Sequence, residues 1–276
     1  MPKDNKLITK AKEYLKIAKV DIVIGYSTGS NPNIRQPAFI ESAEQANNLI
    51  LDRLCDYNLA LYLVKKNLLA KHKKIAIFLN PSGIRTINIL ASEQQIDVNK
   101  IIILAFQITD NDIKTLQGET IDDFSELLDN LKNTPMPQEY ANELAEIQNL
   151  SQAKRFEYWQ QQFAKCIKCY ACRQACPMCY CDRCIVDCNQ PQWICPSAHT
   201  LGNFEWNIVR AFHLAGRCAE CGNCQRACPV EIPLMKINRS IAQEVRERFD
   251  YFAGLNQNQQ AVLASFKNDD SQEFIL

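Results

Sequence analysis

The sequence predicts an α/β layer in its N-terminal part and a cysteine-rich α+β domain in its C-terminal part. Three observations carry this reading: apolar runs of strand length alternate with helical periods before residue 108; thirteen of the 14 cysteines lie between Cys166 and Cys228; and one cysteine pattern occurs twice. A chain of 276 residues has room for two cores, since domains usually hold roughly 100 to 200 residues.

Leu7, Ala11, Tyr14, Leu15 and Ala18 recur at helical spacing and predict an amphipathic helix over 7–18. Val20 to Ile24 reads as a buried strand. Ala43 to Leu54 and Asn58 to Val64 read as helical, and Lys74 to Leu79 as a second strand ending at the turn Asn80-Pro81-Ser82-Gly83. A helix over Ile84 to Gln94 and a third strand over Ile101 to Phe106 follow. Strand, turn, helix and strand in that order predict a parallel pair.

Residues 1–108 are thus expected to form an α/β domain that docks to partners. From Thr109 the composition changes: Asp110, Asp112, Asp122, Asp123 and Glu126 cluster, and helical periods recur at Ile121 to Leu131 and Tyr140 to Leu150. Residues 109–164 therefore read as a helical connector. The cysteine domain spans 165–238 and carries an insertion over 178–215. A terminal helix over Ser240 to Phe249 and a polar tail from Asn256 complete 239–276.

Lys plus Arg and Asp plus Glu both total 31, so no field of one sign marks a nucleic-acid or anionic-membrane binder. A protein partner is the better expectation. The longest apolar runs are strand-length and the first residues lack an apolar leader, which predicts a cytoplasmic chain without a membrane span. In a reducing compartment clustered thiols read as metal ligands rather than disulfides.

Cys-x2-Cys-x2-Cys-x3-Cys-Pro runs from Cys166 to Pro177 and again from Cys218 to Pro229. A cubane needs four thiolates directed at four irons, and the short spacings wrap one loop around three of them. This is the ligand pattern of two-cluster ferredoxins, in which the fourth cysteine of each run ligates the other cluster. The expected sets for two [4Fe–4S] clusters are therefore Cys166, Cys169, Cys172 and Cys228, and Cys218, Cys221, Cys224 and Cys176. Pro177 and Pro229 turn the chain away without leaving a donor unpaired. Gly222 and Ala171 are small residues expected to let the backbone approach.

Zinc is the rival for any Cys-x2-Cys pair, but it leaves the third cysteine and the Cys-Pro of each run unexplained. Cys172-x3-Cys176-x2-Cys179 also matches the triad of radical S-adenosylmethionine enzymes. Too little chain follows it for the barrel of roughly 200 residues or more that such a site needs. Between the runs stand Cys179, Cys181, Cys184, Cys188 and Cys195, too dense for packing alone and expected to hold a third centre, with iron favoured over zinc. Trp193 reads as a lid or core residue. Lys165, Lys168, Arg173, Arg183, Arg217 and Arg226 surround the thiols and are expected to be solvated charges that raise cluster potentials or meet an acidic partner.

The blocks Lys165 to Cys172, Cys176-Pro177-Met178-Cys179-Tyr180-Cys181 and Ala211 to Cys218, with Cys221-Gly222-Asn223-Cys224 and Cys228-Pro229, resemble the beta-subunit family of coenzyme F420 hydrogenases and dehydrogenases. Within it, the formate-dehydrogenase-like and heterodisulfide-reductase-associated branches are the most similar. Val23 to Tyr26 and Asn58 to Leu63 extend the resemblance into the N-terminal part. It implies a non-catalytic electron-transfer subunit of an oxidoreductase complex. Its redox partners would be a flavoprotein and a hydrogenase, formate dehydrogenase or heterodisulfide reductase-like protein. Such subunits commonly carry a Lys-Gly-Cys-Asp-x-Arg-like turn where this chain has Asn80 to Arg85, which argues against a cluster there and leaves flavin binding doubtful.

Ser82, Gly83 and Arg85 are a candidate anion or cofactor site, because free N–H groups at a helix start and a guanidinium suit a phosphate; a plain helix cap is the favoured reading of the turn. No Gly-x-Gly-x-x-Gly occurs anywhere. The alternative functions are a flavin- or F420-dependent dehydrogenase using this turn and a zinc-binding assembly scaffold.

Overall fold

The apolar runs become the buried centre of a five-stranded sheet in the computed structural model, which describes residues 6–65, 71–109 and 112–266. Helix α1 (Lys6–Lys16) precedes β1 (Ile22–Thr28), β2 (Arg35–Ile40), β3 (Ile75–Leu79), α2 (Pro81–Ser92), β4 (Ile101–Ile108) and β5 (Ile113–Thr115). The sheet order is β2-β1-β3-β4-β5. β1, β3 and β4 are parallel, and β2 and β5 pair antiparallel at the edges. Continuous apolar strands belong in the middle, where both faces are covered, and every residue of β3 is buried.

The expected parallel pair is β3 and β4, in register from Ile75 opposite Ile101 to Leu79 opposite Ala105. β2 escapes a sequence reading because Arg35, Gln36 and Pro37 break its apolar pattern, and a strand containing Pro suits a sheet edge. The helix expected over 43–54 shrinks to a single 3₁₀ turn, Gln45–Asn48. After it Leu49 is extended and Ile50 N–H donates to Tyr26 O, while Asp52 Oδ1 accepts from Leu54 N–H, so local side-chain bonding wins over the helix.

The stretch read as a connector begins inside the sheet layer. β5 pairs with β4, and Phe124 and Leu128 are buried in the same core as the strands; Leu128 lies on α3 (Ser125–Asn133). The acidic residues mark turns there: Asp123 Oδ2 accepts from the N–H groups of Glu119 and Thr120. Asp110, residues 1–5 and the tail beyond residue 266 lie outside the described residues.

Glu119 latches α1 to this layer through Lys10 at 2.7 Å, Lys19 at 2.8 Å and the Tyr14 hydroxyl, which donates to Oε1. Burial pushes its carboxyl up, but the hydrogen bonds from Lys10, Lys19 and Tyr14 outweigh it and bring the pKa down to about 2. A depressed carboxyl stabilises the fold above its unfolded value of about 4.3 and loses that stabilisation as pH falls toward the folded value. Glu119→Gln is therefore expected to cost about 1 kcal/mol at pH 7, after allowance for partial exposure, and roughly half that at pH 3 in thermal unfolding. An equal cost at both values would contradict the latch.

The remaining helices are α4 (Gln138–Gln148), α5 (Gln152–Ala164), α6 (Ala171–Gln174), α7 (Thr200–His213), α8 (Asn223–Arg226) and α9 (Leu234–Phe249). α5 runs into Cys166 and packs on α7 through Trp159, Phe163 and Phe204. A third core joins the two parts of the chain: Ile89 and Leu90 of α2 meet Met178, Leu214, Ala219, Val245 and Tyr251. Among the described residues no helix is long and apolar enough to cross a membrane.

Candidate metal centre

The two cysteine runs fold as copies of one another. Lys168 and Tyr170 in the first, and Glu220 and Gly222 in the second, all have positive φ between 49° and 77°. Lys168 N–H approaches Cys166 Sγ at 3.4 Å, and Glu220 N–H approaches Cys218 Sγ at the same distance. A one-turn helix then carries the third cysteine of each run, Cys172 on α6 and Cys224 on α8. Left-handed residues on either side of a cysteine turn successive N–H groups to one side of the loop, as anion-binding nests do. The counterpart of Gly222 is Tyr170, not Ala171, which instead opens α6. A non-glycine residue accepts this conformation at a cost of roughly 1–2 kcal/mol, which the surrounding contacts must offset.

Cys166, Cys169, Cys172 and Cys228 line one cavity with Tyr170, Trp206 and Asn207. Three cysteines of the first run and the last of the second thus share a space. Around Cys218 the thiols of Cys221 and Cys224 interact with one another. Cys176 shares the neighbourhood of Tyr57 with Cys221 and that of Arg210 with Cys224. Among the described residues no three His, Cys, Asp or Glu side chains converge as a single-ion shell requires. Four thiolates at the corners of a cubane stand wider than that. The donor set, all sulfur and arranged in two loops with inward N–H groups, fits iron–sulfur clusters, and two buried donors described below have no protein partner.

Burial pushes the Cys172 thiol up to about 12, even with Arg210 beside it, and raises Cys218 and Cys221. Such thiols keep their protons until a metal displaces them, so loading the cages releases protons.

The two cages differ in surroundings. The second is wrapped by the N-terminal layer: Asn223, wholly buried, accepts from Asn58 N–H at 3.0 Å and donates to Asn58 O at 3.3 Å and Ala175 O at 3.2 Å. Arg217 donates to Glu93 Oε2 at 2.8 Å, and Tyr180 hydroxyl donates to the same atom at 2.9 Å. The first cage has Cys169 and Ile167 exposed at its edge. The cations expected to be solvated are largely tied down: Lys168 to Cys195 O, Arg173 to Cys181 O, and Arg226 to Cys221 O and Asp56 O.

The five insertion cysteines are spread rather than gathered. Cys179 N–H donates to Cys176 O at 3.1 Å, and its thiol lies beside that of Cys176. Cys179 and Cys181 line a cleft of about 370 Å³ with Lys65, Arg173 and Tyr180. Cys184 sits by Asp187, which accepts from Tyr170 hydroxyl at 2.9 Å. Cys188 donates to Cys184 O at 3.0 Å, and Cys195 lies 3.3 Å from Ser197 Oγ. Hydrogen bonds from Ser197 bring the Cys195 thiol down to about 7. Trp193 is 64% exposed and is not a core residue.

The turn at Ser82 is a helix cap. Asn80 Oδ1 accepts from Gly83 N–H at 2.9 Å and from Ser82 hydroxyl at 2.8 Å, with Pro81 in the first turn. Arg85 is buried and faces the second cysteine loop. Its guanidinium donates to Ala253 O at 2.9 Å, Ala219 O at 3.3 Å and Cys218 O at 3.5 Å, lies 3.5 Å from Glu220 and stacks on Phe252. The three residues therefore do not present an open phosphate cradle, because the guanidinium is spent on carbonyls of the cysteine domain. The sequence assigns no role to Asn223, Trp206 or Arg210; the helical spacing of Asn203, Trp206, Asn207 and Arg210 is the signal that points to the last two.

No protein-family profile matches the chain. It is 32% identical over 101 residues to the F420-dependent formate dehydrogenase subunit beta of Methanocaldococcus jannaschii, and 30% identical over 100 residues to the F420-dependent formate dehydrogenase 1 subunit beta of Methanococcus maripaludis. Over this stretch the chain is similar to F420-dependent formate dehydrogenase beta subunits. Each match covers 36% of this chain and, respectively, 26% and 25% of the relative, so the chain spans about a quarter of the length of the beta subunits it matches.

Proposed function

We propose that the chain is an iron–sulfur electron-transfer subunit of an oxidoreductase complex. Cys166, Cys169, Cys172 and Cys228 hold one [4Fe–4S] cluster, and Cys218, Cys221, Cys224 and Cys176 hold the other. Loaded in this way the cages supply one-electron carriers in series. The observation that carries the reading is the shared cavity, in which the last cysteine of the second run joins the first three of the first. Similarity to beta subunits of F420-dependent formate dehydrogenases supports a flavin- or F420-type donor and a catalytic partner of the formate dehydrogenase, hydrogenase or heterodisulfide reductase kind. Cys179, Cys181, Cys184, Cys188 and Cys195 are the reserve for a third centre, assembled with a partner or by a change in the insertion.

The chain's own work is placement. The left-handed loops aim N–H groups at the cages, the N-terminal layer shields the second cage, and the exposed edge at Cys169 leaves the first open to a partner. The purified chain, reduced with dithionite, is expected to pass electrons to a viologen or quinoid acceptor while showing no formate oxidation and no bound flavin. Stoichiometric flavin together with turnover of formate by the chain alone would overturn the carrier reading.

A further inference from the structure

Helix α7 lies between the two cysteine runs, and one of its faces is polar yet buried. Asn203, Trp206, Asn207 and Arg210 occupy positions i, i+3, i+4 and i+7, and all four are buried. Asn203 Nδ2 donates to Cys166 O at 2.6 Å, and Arg210 Nη2 donates to Cys172 O at 3.1 Å. Trp206 and Asn207 line the cavity of the first cage.

Two donors on this face, Trp206 Nε1 and Arg210 Nε, are buried without a partner in the protein. Leaving a buried donor unpaired is costly, and more so when it is charged. Both stand against thiols rather than scattered through the core. Trp206 lines the same cavity as the four cysteines of the first cage; the Arg210 guanidinium lies within interaction range of Cys179 and of Cys172, Cys176 and Cys224, the last three belonging to both runs. Asn203 Oδ1 on the same face is likewise unpaired, and the sulfurs of bound clusters would supply acceptors for the two donors.

We propose that α7 sets the reduction potentials of the two clusters, with the Trp206 indole N–H serving the first and the Arg210 guanidinium, placed between the cages, serving both. The inference rests on the two-cluster reading of the chain. Adding one electron to a thiolate-ligated cluster adds negative charge in a poorly screened site. A donor or fixed cation there stabilises the reduced state and raises the potential. No proton needs to move: Arg210 stays charged throughout.

The test is an electron paramagnetic resonance redox titration of the full chain carrying its clusters, with the first cluster identified by its absence in Cys228→Ser. Trp206→Phe keeps the ring but removes the N–H, and is expected to shift the first cluster downward while the second stays fixed. Arg210→Gln is expected to lower both, and Arg210→Lys to restore most of the shift. Parental potentials in Trp206→Phe and Arg210→Gln, with iron content intact, would overturn the proposal. If Arg210→Gln loses iron, the sign and selectivity of the Trp206→Phe shift decide. A parent chain that lacks two cluster signals overturns the two-cluster reading instead.

Discussion

Cys228→Ser is expected to abolish the same cluster as Cys172→Ser, although the two residues stand in different runs. Cys166, Cys169, Cys172 and Cys228 line one cavity, and the interleaved ligation of two-cluster ferredoxins requires that pairing. Each variant should retain about four of about eight irons and lose the same resonance, while Cys224→Ser should lose the other. On the proposed reading of two clusters in series, electron flow from a reduced donor to an acceptor should stop in all three. The mapping is decisive because a local assignment, each run holding its own cluster, pairs Cys228 with Cys224 instead. If Cys228→Ser and Cys224→Ser remove one common signal, the interleaved sets are wrong.

Arg85→Leu carries the second large effect, on stability and on protection of the second cage. The guanidinium is buried at the junction between α2, the second cysteine loop and the segment around Ala253, where it meets Glu220 and three carbonyls. Removing one partner of a buried ion pair typically costs about 3–5 kcal/mol, because the remaining groups are left uncompensated. Arg246, which holds Glu220 at 2.6 Å, retains part of that compensation, so the lower end is expected, about 3 kcal/mol in urea unfolding. The junction also covers Cys218, so the second cluster should bleach in air faster than in the parent while the first bleaches at the parental rate. A loss below about 1 kcal/mol with unchanged bleaching would show that the junction is held elsewhere.

Much of the fold is legible in the sequence. Periodicity places α1, β3, α2 and β4 because apolar residues there have no alternative but burial, and the twofold Cys pattern announces two equivalent loops. What sequence hides is whatever a distant partner decides. β2 becomes a strand only because β1 offers it an edge, despite Pro37; Leu49 to Leu54 loses its helix to hydrogen bonds with Tyr26 and Asp52's own neighbours.

The site divides along the same line. The two matching cysteine loops are local and are written in the spacing, whereas Arg85, Asn223 and Arg210 gain their contacts from chain segments far away in sequence. Arg85 is only a candidate phosphate ligand when its turn is considered alone, and becomes a domain tie once Cys218 and Ala253 stand beside it. Tyr170 shows the converse: nothing in its type announces a left-handed residue, but its place in the repeat matches Gly222.

The most direct test is the iron, acid-labile sulfide and zinc content of the anaerobically isolated chain. Two clusters predict about eight irons and eight sulfides per chain, and a third [4Fe–4S] centre in the insertion raises both to about twelve. Zinc bound with neither iron nor labile sulfide would contradict the account at its root.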